Sequence, residues 1–246
     1  MENSFLYMIA SVLFVVMAFV LLALIIYGLN YAYKKANLST RGLYLTLFTL
    51  FVWLAFISSL SLSGFLQNFE AIPPRMFIAL VFPAVAMIFF LRAPNTTVLV
   101  QQIPPQWFVY IQSFRILMEI ILWLLFLGNV MPIQMSFEGL NFDILVGLTA
   151  PICAYLCFGK KPYYRIGLLW NIAGLLLLAN IVTIAVLSMP TPLRGFMNEP
   201  ANTFVASMPF TLLPAFVVPV AMYMHALSIK QLLVLSAKKG IPEVLI

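Results

Sequence analysis

Residues 112–143 read QSFRILMEIILWLLFLGNVMPIQMSFEGLNFD, and the reading of this stretch decides the fold. Its first half is an apolar run that carries Gln112, Arg115 and Glu119; its second half is a short loop that carries Glu138, Asn141 and Asp143. On a helix, at about 100° per residue, the first three fall within an arc of about 60°, and Trp123 continues the same stripe. A stripe of that width faces one neighbour or cavity, not lipid all round. Near the middle of a membrane helix each charge costs ~2.5–3.5 kcal/mol, so Arg115 and Glu119 call for an explanation. Their i, i+4 spacing lets them neutralise one another, although Arg before Glu is the weaker order. In the loop, Glu138-Gly139 reads as a turn, and Asn141 or Asp143 as the cap of a following helix with an acid at the positive end of its dipole.

The chain around this stretch has the composition of a membrane protein. Of its residues 64% are hydrophobic and 8% charged, with mean hydropathy +1.08, against roughly 25% charged in soluble domains. Several uncharged runs exceed the ~20 residues that cross a bilayer as a helix. Such runs, with no alternation of apolar and polar residues, favour helices over a barrel, because the backbone must satisfy its own hydrogen bonds in lipid. The expectation is an all-α polytopic bundle of seven transmembrane helices, residues 1–246 forming a single transmembrane helical domain. The segments are about 5–31, 42–66, 76–91, 106–128, 144–159, 166–188 and 204–227. The first is too long for a signal-peptide core and has Glu2 where a positive flank belongs, so it is read as a retained span. Pro73-Pro74 is read as the turn and first helical position of the third segment. Residues 93–103 are read as a loop.

Seven spans place the loops alternately. One side receives Lys34, Lys35, Arg41, Arg92, Lys160, Lys161, Arg165, Lys230, Lys238 and Lys239, and the other only Arg75 and Arg194. The positive-inside rule then puts the N-terminus outside and the C-terminus in the cytoplasm. Glu2, Glu70, Glu138, Asp143 and Glu199 make the outer side acidic. The basic residues are spread over loop ends with no interleaved aromatic patch, so the net charge of +6 reads as a topology signal and nucleic acid is excluded as a partner.

Pro83, Pro151 and Pro219 recur at equal spacing in odd-numbered segments, each with a small residue four positions earlier: Ala79, Gly147 and Ala215. Either these mark a repeat of helix hairpins whose freed carbonyls line a binding site, or they are ordinary membrane-helix prolines with small residues that allow close packing. Cys153 and Cys157 share a helix face and read as small core residues in preference to half of a soft-metal site. Asn171 and Asn180 point to different sides of one helix, so each is expected to bond a different neighbour. His225 is expected near the cytoplasmic end of the last span, alone, which argues against a histidine metal centre and a serine hydrolase.

The combination of PPR at residues 73–75, QxFRxxxE at 112–119 and PxxMxFEGxNFDI at 132–144 resembles a widespread set of uncharacterised bacterial integral membrane proteins. The resemblance implies a polytopic fold in a bacterial inner membrane and no particular activity. Members of that set commonly carry a basic residue between the Gly and Asn of the EGxN segment. This chain has Leu140 there, so the resemblance implies no anion-binding loop.

The functional expectation is a carrier or permease-like protein for a small polar molecule or ion. Gln112, Arg115 and Glu119 would line its path, Glu119 exchanging a proton, and Glu70, Glu138, Asn141 and Asp143 would form an acidic outer mouth. The alternative is an accessory or assembly subunit whose ion pair fixes helix register or docks a partner helix. No catalytic set, metal site or cofactor is expected, and an enzyme is disfavoured. The expected partners are membrane lipids, a small polar molecule or cation, and a second copy or another membrane subunit.

Overall fold

A computed structural model of the chain describes residues 2–159 and 163–238. Lys160, Lys161 and Lys239, counted above among the basic loop residues, lie outside the described residues. The described residues form an all-α bundle. Helix α1 spans Glu2–Lys35, α2 Thr40–Leu62, α3 Phe77–Arg92, α4 Pro94–Gln102, α5 Pro105–Tyr110, α6 Phe114–Leu127, α7 Ile144–Phe158, α8 Tyr164–Leu187 and α9 Val218–Lys238. A 3-10 turn at Ile111–Ser113 joins α5 to α6 in one continuous rod, and a π-helical turn at Leu213–Val217 leads into α9.

Five of these stretches are long and apolar enough to cross a membrane: 3–35, 40–62, 105–127, 164–187 and 213–236. The two remaining expected spans are the short ones. Helix α3 has 16 residues and meets α4 at 84°, and α7 has 15 residues. Both carry their proline internally.

Three boundaries differ from the sequence expectation. Residues 94–102 are a helix, opened by Pro94 in its first turn and held to the bundle by Thr96, Leu99 and Val100. Its low hydropathy disguised it as a loop, yet it lies across one end of the bundle against α1 and α9. Helix α3 begins at Phe77, so Pro73 and Pro74 precede it and neither occupies its first position. The last helical run begins at Leu213, not near 204. Phe204, Val205, Ala206 and Phe210 are apolar because they are buried in a core-forming loop, and hydropathy alone does not separate a buried loop from a span. The shift moves His225 to the middle of the helical run and brings Lys230 inside it, where Nζ donates to the Leu91 carbonyl at 2.5 Å.

Cross-links give the bundle two distinct ends. At one end Lys35 Nζ reaches the Gln102 carbonyl (3.5 Å), and Gln231 Nε2 donates to the carbonyls of Val100 and Ile103 at 2.6 and 2.7 Å. At the other, Gln67 donates to Ser207 (3.3 Å), and Gln134 bonds Ser188 and Asn198, both at 2.8 Å. In the same region Arg194 clasps Glu199 at 2.9 Å, and the Ala201 N–H donates to the same carboxylate. These bonds hold the Glu199 carboxyl below the usual carboxylate range, the Arg194 hydrogen bond first among the causes. The core between the ends is apolar and runs from Phe14 and Leu21 on α1 through Met118 and Leu125 on α6 to Phe216 and Val220.

The three prolines have small partners that serve packing. Ala79 and Ala215 are buried. The Ala215 carbonyl, which Pro219 leaves without its helical N–H, accepts the indole N–H of Trp53 at 2.9 Å. At Gly147 a Cβ would stand 2.8 Å from Ile116 Cγ1 and 2.9 Å from the Ile116 backbone nitrogen. Glycine there lets α7 lie directly on the backbone of α6. Cys153 and Cys157 pack with Val109, Ala150 and Ala154, their sulfurs 3.4 Å apart.

Candidate functional site

The site is built where α7 starts. Arg115 stands a dozen residues before Leu127, about 18 Å along the helix at 1.5 Å per residue. The connection after α6 travels back that distance inside the fold, burying Met131, Gln134, Met135 and Ser136 on the way, and delivers Asp143 beside Arg115. Short α7 is therefore a helix whose N-terminal end lies within the bundle. Gly147 sets its height by closing on Ile116 and Arg115 Cβ.

Arg115 Nη1 donates to Asp143 Oδ1 at 2.7 Å, with Arg115 1% and Asp143 7% exposed. Glu119 is not the ion-pair partner of Arg115. Its Oε1 instead accepts from Asn141 Nδ2 at 2.7 Å. Asn141 also donates to the Met135 carbonyl, and its Oδ1 accepts from the backbone N–H of Asp143 at 3.0 Å. The expected cap is thus corrected: the Asp143 side chain makes no cap bond to α7 and is committed to Arg115. Asn141 takes the N–H of Asp143 in an Asx-type turn. Gln112 Nε2 donates to the Ala221 carbonyl at 3.0 Å, tying this rod to α9.

The expected path residues Gln112, Arg115 and Glu119 are all buried, and Asn141 and Asp143, expected at the outer mouth, are buried beside them. Glu138 and Glu70 do not join. Glu138 is exposed and accepts the indole N–H of Trp123 at 2.7 Å, and Glu70 is exposed. Several buried atoms in the cluster have no hydrogen-bond partner among the described residues: Gln112 Oε1, Arg115 Nε and Nη2, and Glu119 Oε2. Native proteins seldom leave such atoms orphaned. Nε and Nη2 form one edge of the guanidinium, the fork that recognises a carboxyl or phosphate side-on.

Arg115, Glu119 and Asp143 form part of the wall of a cavity of about 80 Å³. All its other lining residues are apolar, among them Met76 just before α3 and Leu80 on it, Met118 of α6, Ile181 and Val182 of α8, and Val217 in the π-turn. A π-turn widens the helix locally and recurs at functional sites.

A second polar knot lies deeper between α8 and α9. His225 Nδ1 meets Asn171 Oδ1 at 2.9 Å, and Asn171 Nδ2 bonds Ser228 Oγ (3.0 Å) and the Gly167 carbonyl (2.7 Å). Asn171 thus ties α8 to α9, while Asn180 bonds the Leu140 carbonyl at 2.9 Å. Asn171 stands between the hydroxyl and the imidazole. A Cβ on Gly174 would lie 2.3 Å from His225 Cε1, so the ring is packed against backbone with no room for a substrate. Sequence reasoning missed the Gln134–Ser188–Asn198 network, because isolated polar residues in loops give no pattern of their own.

An all-α bundle with several long apolar helices and a buried ionic cluster has the form of a multi-pass membrane protein. The chain belongs to the family described as a domain of unknown function, DUF8737, whose model matches residues 73–233. No curated protein and no solved structure matches it. The matched region contains the whole ionic cluster and leaves α1 and α2 outside.

Proposed function

We propose that the protein is a carrier or permease-like membrane protein that holds the polar group of a small molecule at Arg115, Glu119 and Asp143. The observation that carries this reading is the conjunction of orphaned donors and an acceptor on Arg115 and Glu119 with a cavity that both residues line. An ion pair retained only for register would be expected to satisfy its own atoms. The competing accessory-subunit reading needs the polar stripe to face a partner helix. Gln112, Arg115 and Glu119 are each 2% exposed or less, covered by the chain itself, which favours the carrier reading.

The accompanying topology has seven spans, with α3 and α7 as the short ones, the N-terminus outside and the C-terminus in the cytoplasm of a bacterial inner membrane. The positions of Lys35, Leu91–Lys230 and Gln231 at one end of the bundle support it, as does the gathering of the Glu199 loop at the other. The test is Glu119→Gln, compared with wild type for rescue of a deletion strain while folded protein in the membrane fraction is measured. Lost rescue at equal folded protein supports the reading. Full rescue by a folded Gln variant overturns it.

A further inference from the structure

The chemistry of the cavity wall narrows what can occupy it. A bare ion or a small polyol leaves water completely and needs polar contacts on most of its surface, because an unsatisfied polar group costs several kcal/mol. This cavity offers polar contact at one place only, the Arg115–Glu119–Asp143 cluster; the rest of its wall is methyl, methylene and aromatic carbon. Such a wall suits a molecule with one polar head and a hydrocarbon body.

The position of the opening points the same way. Towards the cluster's inner side, the Gln112–Ala221 hydrogen bond crosses between the rod and α9. Towards the outer loops, buried Met135, Met189 and Val205 close the wall. The incompletely buried lining residues are Phe77 and Leu80 on α3, Val182, Ala185 and Val186 on α8, Phe114 at the start of α6, and Pro214 and Val218 at the π-turn and the start of α9. Helices α3 and α8 both pack on α9, and both line the cavity. On their outer surfaces α3 presents Val81, Phe82 and Val85 and α8 presents Leu176, all exposed, a surface that belongs to lipid in a membrane bundle. The cavity is least covered on these apolar flanks.

Resting on the carrier reading above, we propose that the occupant is a single-chain amphiphile with a carboxyl head, taken from the bilayer through a slot between α3 and α8. Arg115 keeps Asp143 on Nη1, and its Nε–Nη2 edge is the group that would take the head's carbonyl oxygen. Glu119 Oε2, the orphan acceptor on a residue that lines the cavity, would take the head's O–H. The head enters with its proton, so one proton is shared between it and Glu119 and the cluster gains no net charge. About 80 Å³ accommodates the head and the first part of the chain; the remainder lies in the slot.

The experiment uses the full chain in nanodiscs of phosphatidylcholine with palmitic acid carrying a chain diazirine, irradiated and mapped by peptide mass spectrometry. Saturable labelling on α3 and α8 residues beside the slot is expected, competed by unlabelled palmitic acid. Methyl palmitate and hexadecyltrimethylammonium should compete at least tenfold less well. Glu119→Gln should weaken competition by a similar factor. Ala185→Trp, which fills the slot and leaves the cluster intact, should abolish labelling and so keeps the test valid if Glu119→Gln folds poorly. Equal competition by acid, ester and quaternary amine overturns the proposal, and so does labelling unchanged in Ala185→Trp. The same nanodisc protein, moved to vesicles, separates the two readings. Specific acid binding with no acceleration of its movement between membranes or leaflets supports the amphiphile and overturns the carrier. Failed acid binding overturns the amphiphile alone, because the rescue assay with Glu119→Gln judges the carrier independently of ligand.

Discussion

Replacing Asp143 by Asn keeps the shape of the side chain and removes the carboxylate nearest Arg115. In the folded protein that carboxylate is 2.7 Å from Nη1, and the pair is buried. Glu119 remains one helical turn away, about 6 Å along the axis. At an effective dielectric of about 20, the attraction between unit charges is about 6 kcal/mol at 2.7 Å and about 3 kcal/mol at 6 Å. Losing the near partner removes about 6 kcal/mol of attraction, offset in part because the buried Asp143 charge and its repulsion of Glu119 go with it, so the net cost should fall in the ~3–5 kcal/mol range seen when one member of a buried pair is removed. Relaxation has little room, because Gly147 holds α7 against the Arg115 Cβ. The assay is reversible unfolding in mixed micelles titrated with SDS, run as a cycle of Asp143→Asn, Arg115→Met and the double variant. The double variant should recover most of the loss, since no buried cation is then left without its partner. A cost below about 1 kcal/mol for Asp143→Asn, or strict additivity in the cycle, would refute the assignment of Asp143 as the counter-ion.

Gly147→Val places a side chain where even a Cβ meets Ile116 at 2.8 Å; it should destabilise by ~1–3 kcal/mol or more, as overpacking does, and should weaken the Arg115–Asp143 coupling measured in the same cycle. Trp53→Phe removes the donor to the Ala215 carbonyl and should cost about 1 kcal/mol, with the amide exchange of residues 213–219 speeding up; unchanged exchange there contradicts the carbonyl's need for that bond. The lowered pKa of Glu199 has a defined sign. Its carboxylate favours the folded loop at pH values above the ordinary Glu range, and that contribution disappears as pH falls through the lowered value. Amide exchange at residues 194–201 should therefore accelerate between about pH 5 and 3, relative to its intrinsic pH dependence. Glu199→Gln should remove that acceleration, and its persistence in the Gln variant would show another group to be responsible.

The membrane class and most helical segments were legible in the sequence because hydropathy is a property of each run by itself. Gln112, Arg115 and Glu119 were legible for a related reason: helical spacing fixes which residues share a face. The partner of Arg115 was not. Helical side chains lean towards the helix N-terminus, so Arg115 reaches away from Glu119, and the acid that meets it arrives from a loop whose path no local pattern records. The capping reading of Asp143 failed for the same reason, since position before a helix says nothing about a cation waiting on another one. Burial also hid the start of the last helical run: Phe204, Val205 and Phe210 are as apolar as membrane residues but face the core from a loop. Helix α4 was missed in the opposite direction, its polar residues masking an orderly turn opened by Pro94.

The descending connection that brings Asp143 to Arg115 bears on how the chain is made. The two charges are 28 residues apart, so when the α5–α6 rod first leaves the ribosome its arginine has no counter-ion in the growing chain except the glutamate one turn on. The α6–α7 loop must then be drawn inward with its polar cargo of Asn141 and Asp143, as a unit with a helix too short to insert strongly by itself. Synthesis order thus imposes an assembly order: the rod first, the loop and α7 against it second, and α8 and α9 afterwards as the wall that seals the charges away from lipid. A chain stopped between residues 128 and 142 would be left with Arg115 lacking Asp143, and with Glu119 alone to offset its charge.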